Sequence, residues 1–155
     1  MPEPLAPPTP APVHTHRPAP ANLSTASVIA AGGALGAVAR FAVSRALPTV
    51  AGHFPWATFI VNVSGSMALG VVLVAASGAR RRHLLLRRLV GTGVIGAYTT
   101  YSTFAVESVL LARRGQVAAA VLYVVASVAA AGVGGALSVV GTRAAFRHLR
   151  IRWAR

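Results

Sequence analysis

Four segments of this chain are too long and too apolar for the core of a soluble domain, and they leave it few ways to fold. Residues 24–46, 56–77, 84–112 and 116–140 are each long enough, as a helix, to cross a hydrocarbon layer of about 30 Å. Lipid offers the backbone no hydrogen-bond partner, so such segments default to helices. Irregular backbone survives at that depth only when it is buried in protein or lines a wet cavity. The expected architecture is an all-α integral membrane protein, with four transmembrane helices joined by short loops in one domain over residues 23–141. Composition agrees: 55% of the residues are hydrophobic and only 11% are charged, against about a quarter charged in a soluble domain.

The flanks differ in character. Residues 1–22 hold eight of the ten prolines and read as a disordered Pro/Ala-rich tail, because such a segment cannot bury enough apolar surface to fold. Residues 142–155 read as a basic cytoplasmic tail. A cleavable signal peptide is a poor account of the first apolar segment: the preceding tail offers only Arg17 as a basic flank, and "GGALGA" is weakly apolar.

All fifteen basic residues are Arg, and only Glu3 and Glu107 oppose them, which gives a formal charge of +13. A nucleic-acid partner would suit that charge, but the Arg residues lie in short runs between apolar segments. With four crossings, the N-terminal tail, the connection between the second and third spans and the C-terminal tail share one face. Eleven Arg fall there once Arg87 and Arg88, beside that connection, are included, and Arg45, Arg113 and Arg114 fall opposite. The positive-inside rule then predicts both termini in the cytoplasm of a multi-pass protein of the cell membrane. The chain has no Cys, which removes thiol chemistry and disulfides, and its five His lie in tails or loops.

Several polar residues fall inside the apolar segments. Gly32 and Gly36 form a small-xxx-small pair suited to close helix packing. Arg40, in the same segment, either snorkels to the helix end or serves an anion vestibule. Thr58, Asn62 and Ser66 recur at i, i+4 and i+8 and share one helix face. Ser and Thr can satisfy themselves on a preceding carbonyl. The Asn62 amide instead needs another helix or something passing through a pore.

The third segment contains "GAYTTYSTFAVES", residues 96–108, where Tyr98 to Thr103 are all hydroxyl-bearing and follow Gly91, Gly93 and Gly96. This run disfavours regular helix, and a mid-membrane break is the preferred reading. Unwound backbone frees carbonyls for a cation, while half-helix N-termini favour an anion. Ring edges at Tyr101 and Phe104 carry positive partial charge. Glu107, nearly on the Phe104 face, could bond a hydroxyl or pair with an Arg. Tyr123 and Ser127, at i and i+4 in the last segment, suggest a polar track.

The order of these motifs resembles the CrcB/Fluc family of fluoride channels. The carriers are "GGALGAVARF", the Asn62 of "FIVNVSGSMALG", "GTGVIGAYTTYSTFAVES" and the Tyr/Ser spacing of the last helix. The resemblance implies an antiparallel dimer of four-helix subunits, not an enzyme, that passively conducts fluoride out of the cell and relieves its toxicity. It implies a fluoride path through Asn62, Tyr101, Phe104, Tyr123 and Ser127; Arg40 and Glu107, read from their own positions, are expected in vestibule or supporting roles. A structural sodium ion at the dimer centre, not transported, would be held by backbone carbonyls of Gly96 and Thr99.

Two positions depart from the family pattern. Tyr101 stands where the family usually has Phe, and Ala131 stands where the hydroxyl track would continue. The charge bias adds a further expectation. A homodimer that inserts both ways calls for nearly balanced charge, so the partner in the bilayer is expected to be a homologous chain of opposite bias. A small multidrug exporter, also built from four helices, would place a Glu in its first helix, and this chain has none there.

Overall fold

The computed structural model describes residues 23–77 and 81–153. The expected disordered tail, Arg80 and Arg155 lie outside the described residues. Helix α1 spans Leu23–Ala46, α2 Trp56–Ala75, α3 Arg81–Leu86, α4 Gly96–Tyr98, α5 Tyr101–Arg113 and α6 Val117–Trp153, with a π-helical stretch over Arg87–Ile95. Among the described residues there is no strand.

Among the described residues three helices are long and apolar enough to cross a membrane: Ser24–Ala46 within α1, Trp56–Ala75 as α2 and Val117–His148 within α6. The third apolar segment of the sequence is divided among α3, the π-helical stretch, α4 and α5. None of these reaches spanning length alone. Helix α6 continues without a break from its apolar part through Arg143 and Arg147 to Trp153. At 1.5 Å per residue its 37 residues extend about 55 Å, well beyond a bilayer core.

Glycine sets the closest helix approaches. A Cβ on Gly32 would strike the Leu89 carbonyl, and one on Gly36 would strike the carbonyl of Val94. The Gly32/Gly36 pair therefore packs α1 directly on the backbone of the π-helical stretch, as small-xxx-small spacing allows. On the other side α2 and α6 run parallel: Met67 meets Gly134, Gly70 meets Gly135, and Ser138 donates to the Met67 carbonyl at 2.6 Å. At the opposite end of the same pair, Thr58 and Tyr123 reach one carboxylate.

Little of the chain is buried within the subunit. The core at the α1–α2 loop end joins Leu111, Ala120 and Tyr123 with Phe54, Phe59 and Phe104. Leu35, Val38, Phe41, Leu122, Val128 and Leu137 are all exposed by more than 60%. Apolar exposure of that extent marks a contact surface rather than one suited to water.

Candidate functional site

Two residues interrupt the helical path between α4 and α5. Thr99 has φ −73° and ψ 156°, and Thr100 has φ −146° and ψ 124°, both extended. In extended backbone the N–H and C=O of one residue point to the same side, so a single partner can take both. Asn62 does so: its Nδ2 donates to the Thr100 carbonyl at 3.0 Å, and the Thr100 N–H donates to Oδ1 at 2.9 Å. In a continuing helix the Thr100 N–H would donate to Gly96, so its diversion takes that partner from the Gly96 carbonyl. The Asn62 amide thus holds a neighbouring segment, and the residue also lines a cavity.

Side chains stabilise both sides of the interruption. Thr99 closes α4 by returning its hydroxyl and its N–H to the Ile95 carbonyl, at 2.9 and 3.0 Å. Thr100 caps α5: its Oγ1 accepts from the Thr103 N–H at 3.2 Å and donates to the Thr103 hydroxyl at 3.0 Å. A side-chain cap satisfies one of the donors that a helix start leaves unpaired. The Tyr98 and Ser64 hydroxyls share a hydrogen bond of 3.0 Å, which ties α4 to α2.

A cavity of about 350 Å³ opens beside the interruption. Asn62, Ser66, Thr99, Thr100, Tyr101, Phe104, Ser127 and Ala131 contribute to its wall, and among the described residues no charged side chain does. Ser127 is 4% exposed, and among the described residues its hydroxyl oxygen has no hydrogen-bond partner. A buried polar group left unpaired costs about 1–3 kcal/mol, so this hydroxyl favours a site where a further donor or acceptor can reach it. Ala131, one turn beyond, offers only a methyl group.

Beyond the cavity the Glu107 carboxylate joins three helices. Thr58 of α2 donates to Oε1 at 3.1 Å, and Tyr123 of α6 donates to Oε2 at 2.8 Å. Tyr123 is fully buried. Its ring lies 5.2 Å from that of Phe104 and 5.2 Å from that of Phe54, so the hydroxyl is held from both sides by aromatic packing.

The residues singled out from the sequence thus fall into several settings. Asn62, Phe104 and Ser127 converge on the cavity with Thr99. Tyr101 is at the cavity rim but 81% exposed on the subunit surface, its ring 6.1 Å from Phe104. Tyr123 is engaged by Glu107 and is absent from the cavity wall. Gly96 is exposed, with open space where a Cβ would stand. Arg40 is half-buried in α1 and lies apart from the cavity wall. Thr100 is the residue that sequence reasoning did not separate from its neighbours. Its one local signal was a Thr three residues before Thr103, a spacing that fits a helix cap.

These features define a helical membrane protein with an uncharged polar cavity beside an interrupted helix. The model of the family described as "CrcB-like protein, Camphor Resistance (CrcB)" matches residues 27–142, and the chain belongs to that family. Curated relatives agree. The chain is 44% identical over 126 residues to the fluoride-specific ion channel FluC 2 of Nocardia farcinica, covering 81% of this chain and 84% of the relative. It is 49% identical over 106 residues to FluC 2 of Rhodococcus jostii, covering 68% and 88%. To the fluoride-specific ion channel FluC of a Methylobacterium species, strain 4-46, it is 43% identical over 114 residues, covering 72% and 90%.

Proposed function

We propose that this chain is one subunit of a passive fluoride-selective channel that lets fluoride leave the cytoplasm and so relieves its toxicity. The observation that carries this reading is the buried, unpartnered Ser127 hydroxyl facing a cavity lined by neutral donors. Fluoride is small and strongly hydrated, so a pore must replace its lost water with several donors. The second Asn62 N–H, the Ser127 hydroxyl and the ring edges of Phe104 and Tyr101 are of that kind. Tyr123 and Ser127 continue the path along α6. The names of the relatives select fluoride among anions; geometry alone would not.

In this reading the divided third segment, α3 through α5, is the fourth crossing, and its interruption at Thr99 and Thr100 sits at mid-membrane. The functional unit is an antiparallel dimer in the cell membrane, with both termini of this chain in the cytoplasm. The exposed Tyr101 then faces the second subunit. Residues Gly96 and Thr99 suit a structural sodium ion: the Gly96 carbonyl has lost the Thr100 N–H, and no side chain crowds Gly96. A cation there would neutralise carbonyl dipoles left facing the dimer centre, without moving through the pore.

Fluoride efflux from liposomes holding the purified chain, read with a fluoride electrode beside a chloride control, tests the function. Rapid loss of fluoride with chloride retained supports the channel. Seen with this chain alone it also shows that one chain suffices, and otherwise it is expected once a homologous partner of opposite charge bias is present. The Arg asymmetry points to a partner of opposite charge bias, and C-terminal topology tags test this separately. A single orientation is expected, whereas an even mixture would overturn the need for a partner of opposite bias. Silence from this chain both alone and with such a partner would overturn the channel reading.

A further inference from the structure

A second cavity, of about 280 Å³, lies at the loop end of the subunit, where residues 49–55 fold against the end of α5. Its loop is held in place: Gly52 has φ +86°, which L side chains rarely adopt, and packs against the Gln116 side chain. The walls are apolar at Val50, Pro55, Leu110 and Leu111. Arg114 and His53 supply the polar groups of the rim, and Glu107 lines the inner end.

The charges are arranged along an axis. Arg114 follows Glu107 by seven residues, about 10 Å along α5. Both Glu107 oxygens are engaged by the Thr58 and Tyr123 hydroxyls, and among the described residues no ion pair joins Glu107 to Arg114. The guanidinium is therefore unneutralised by that acid; Arg114 is exposed, and the apolar walls beside it direct its field into the cavity rather than bury the charge. Tyr123 carries the connection inward, because its hydroxyl meets Glu107 and its ring packs on Phe104, which lines the first cavity.

We infer that the loop-end cavity is an anion-collecting mouth on the face opposite the termini, in which Arg114 concentrates small inorganic anions at the outer end of the path that runs through the Glu107, Thr58 and Tyr123 cluster to the first cavity. The identity of the collected anion as fluoride rests on the channel reading; the electrostatic role of Arg114 does not. Arg45 and Arg113 add positive charge at the same end but do not line the cavity.

The absence of native Cys makes a direct test possible. Ala51→Cys places the only thiol on an exposed residue of the cavity wall, and Thr49→Cys is a second such position. Full-length protein in liposomes is treated with an anionic and with a cationic methanethiosulfonate of similar size. The anionic-to-cationic rate ratio is expected to fall roughly tenfold on adding Arg114→Gln at low ionic strength, to recover with Arg114→Lys, and to converge in high salt. Arg113→Gln is expected to leave the ratio nearly unchanged. A ratio insensitive to Arg114→Gln at both thiol positions, or equally sensitive to Arg113→Gln, overturns the inference. Fluoride efflux in the same liposomes should drop with Arg114→Gln at low salt. Absence of efflux from the Arg114 protein would count against the channel reading while the thiol rates still decide the role of Arg114.

Discussion

Asn62 and Thr100 exchange two hydrogen bonds, one through each end of the amide, across 38 residues of sequence. Replacing Asn62 by Leu leaves a buried N–H and a carbonyl unpaired, at a cost on the order of 2–4 kcal/mol. Asn62→Asp keeps the acceptor but loses the donor to the Thr100 carbonyl. Thermal unfolding in detergent should rank wild type above Asp and Asp above Leu, and fluoride efflux should follow the same order. Equal stability of the Leu variant would show that the pair does not hold the interruption.

Removing the Ser127 hydroxyl should separate stability from conduction. The group is buried without a partner, so Ser127→Ala is expected to leave stability unchanged or raise it by about 1 kcal/mol. If the hydroxyl serves the ion, losing a donor worth about 1.4 kcal/mol in the barrier slows efflux roughly tenfold. Unfolding midpoints and efflux rates measured on the same preparation check both signs. A variant as fast as wild type would remove Ser127 from the path.

The carboxylate shared by Thr58 and Tyr123 predicts energetic coupling between α2 and α6. Tyr123→Phe and Thr58→Val each strip one donor from Glu107 and should destabilise by about 1–3 kcal/mol. Because the two donors share one acceptor, the double variant is expected to depart from additivity by about 0.5 kcal/mol or more. A double-variant cycle on unfolding free energies provides the measurement, and strict additivity would show the two bonds to be independent.

Close packing of α1 on the π-helical stretch makes Gly36 intolerant of a side chain. Gly36→Ala forces a methyl group onto the Val94 carbonyl, and overpacking of this kind costs about 1–3 kcal/mol. Gly132→Ala, where nothing lies within 4 Å, should be neutral or stabilise by up to about 1 kcal/mol through helix propensity. Size-exclusion recovery after graded heating distinguishes the two. Equal recovery would mean that α1 can shift freely.

The proposed sodium at Gly96 and Thr99 predicts an ionic requirement unrelated to driving force. Exchange of sodium for N-methylglucamine during purification and assay should suppress fluoride efflux, and return of sodium should restore it. Unchanged efflux in the exchanged protein would remove the ion from the working channel.

Much of this was legible in the chain because bilayer physics is local. Residues 24–46, 56–77 and 116–140 had to be helices, since an apolar backbone in lipid can satisfy itself only internally, and α1, α2 and α6 occupy those segments. The hydroxyl-rich motif was also enough to recognise the family. Partner choice was different, because it depends on which helix faces which and at what rotation. Asn62 needed a partner on any reading of the sequence, but only the placement of α2 beside residues 99 and 100 made that partner the Thr100 backbone. Glu107 could have met an Arg, and the parallel packing of α2 and α6 instead brought it the hydroxyls of Thr58 and Tyr123, 49 and 16 residues away. Tyr123 and Ser127 are one helical turn apart and chemically alike in sequence, yet tertiary packing engaged the first and left the second unpartnered beside a cavity. Sequence determined where polar groups enter the membrane, because each residue carries its own transfer cost. Which of them remained free was decided only by the assembled helices, since hydrogen bonding saturates one partner at a time.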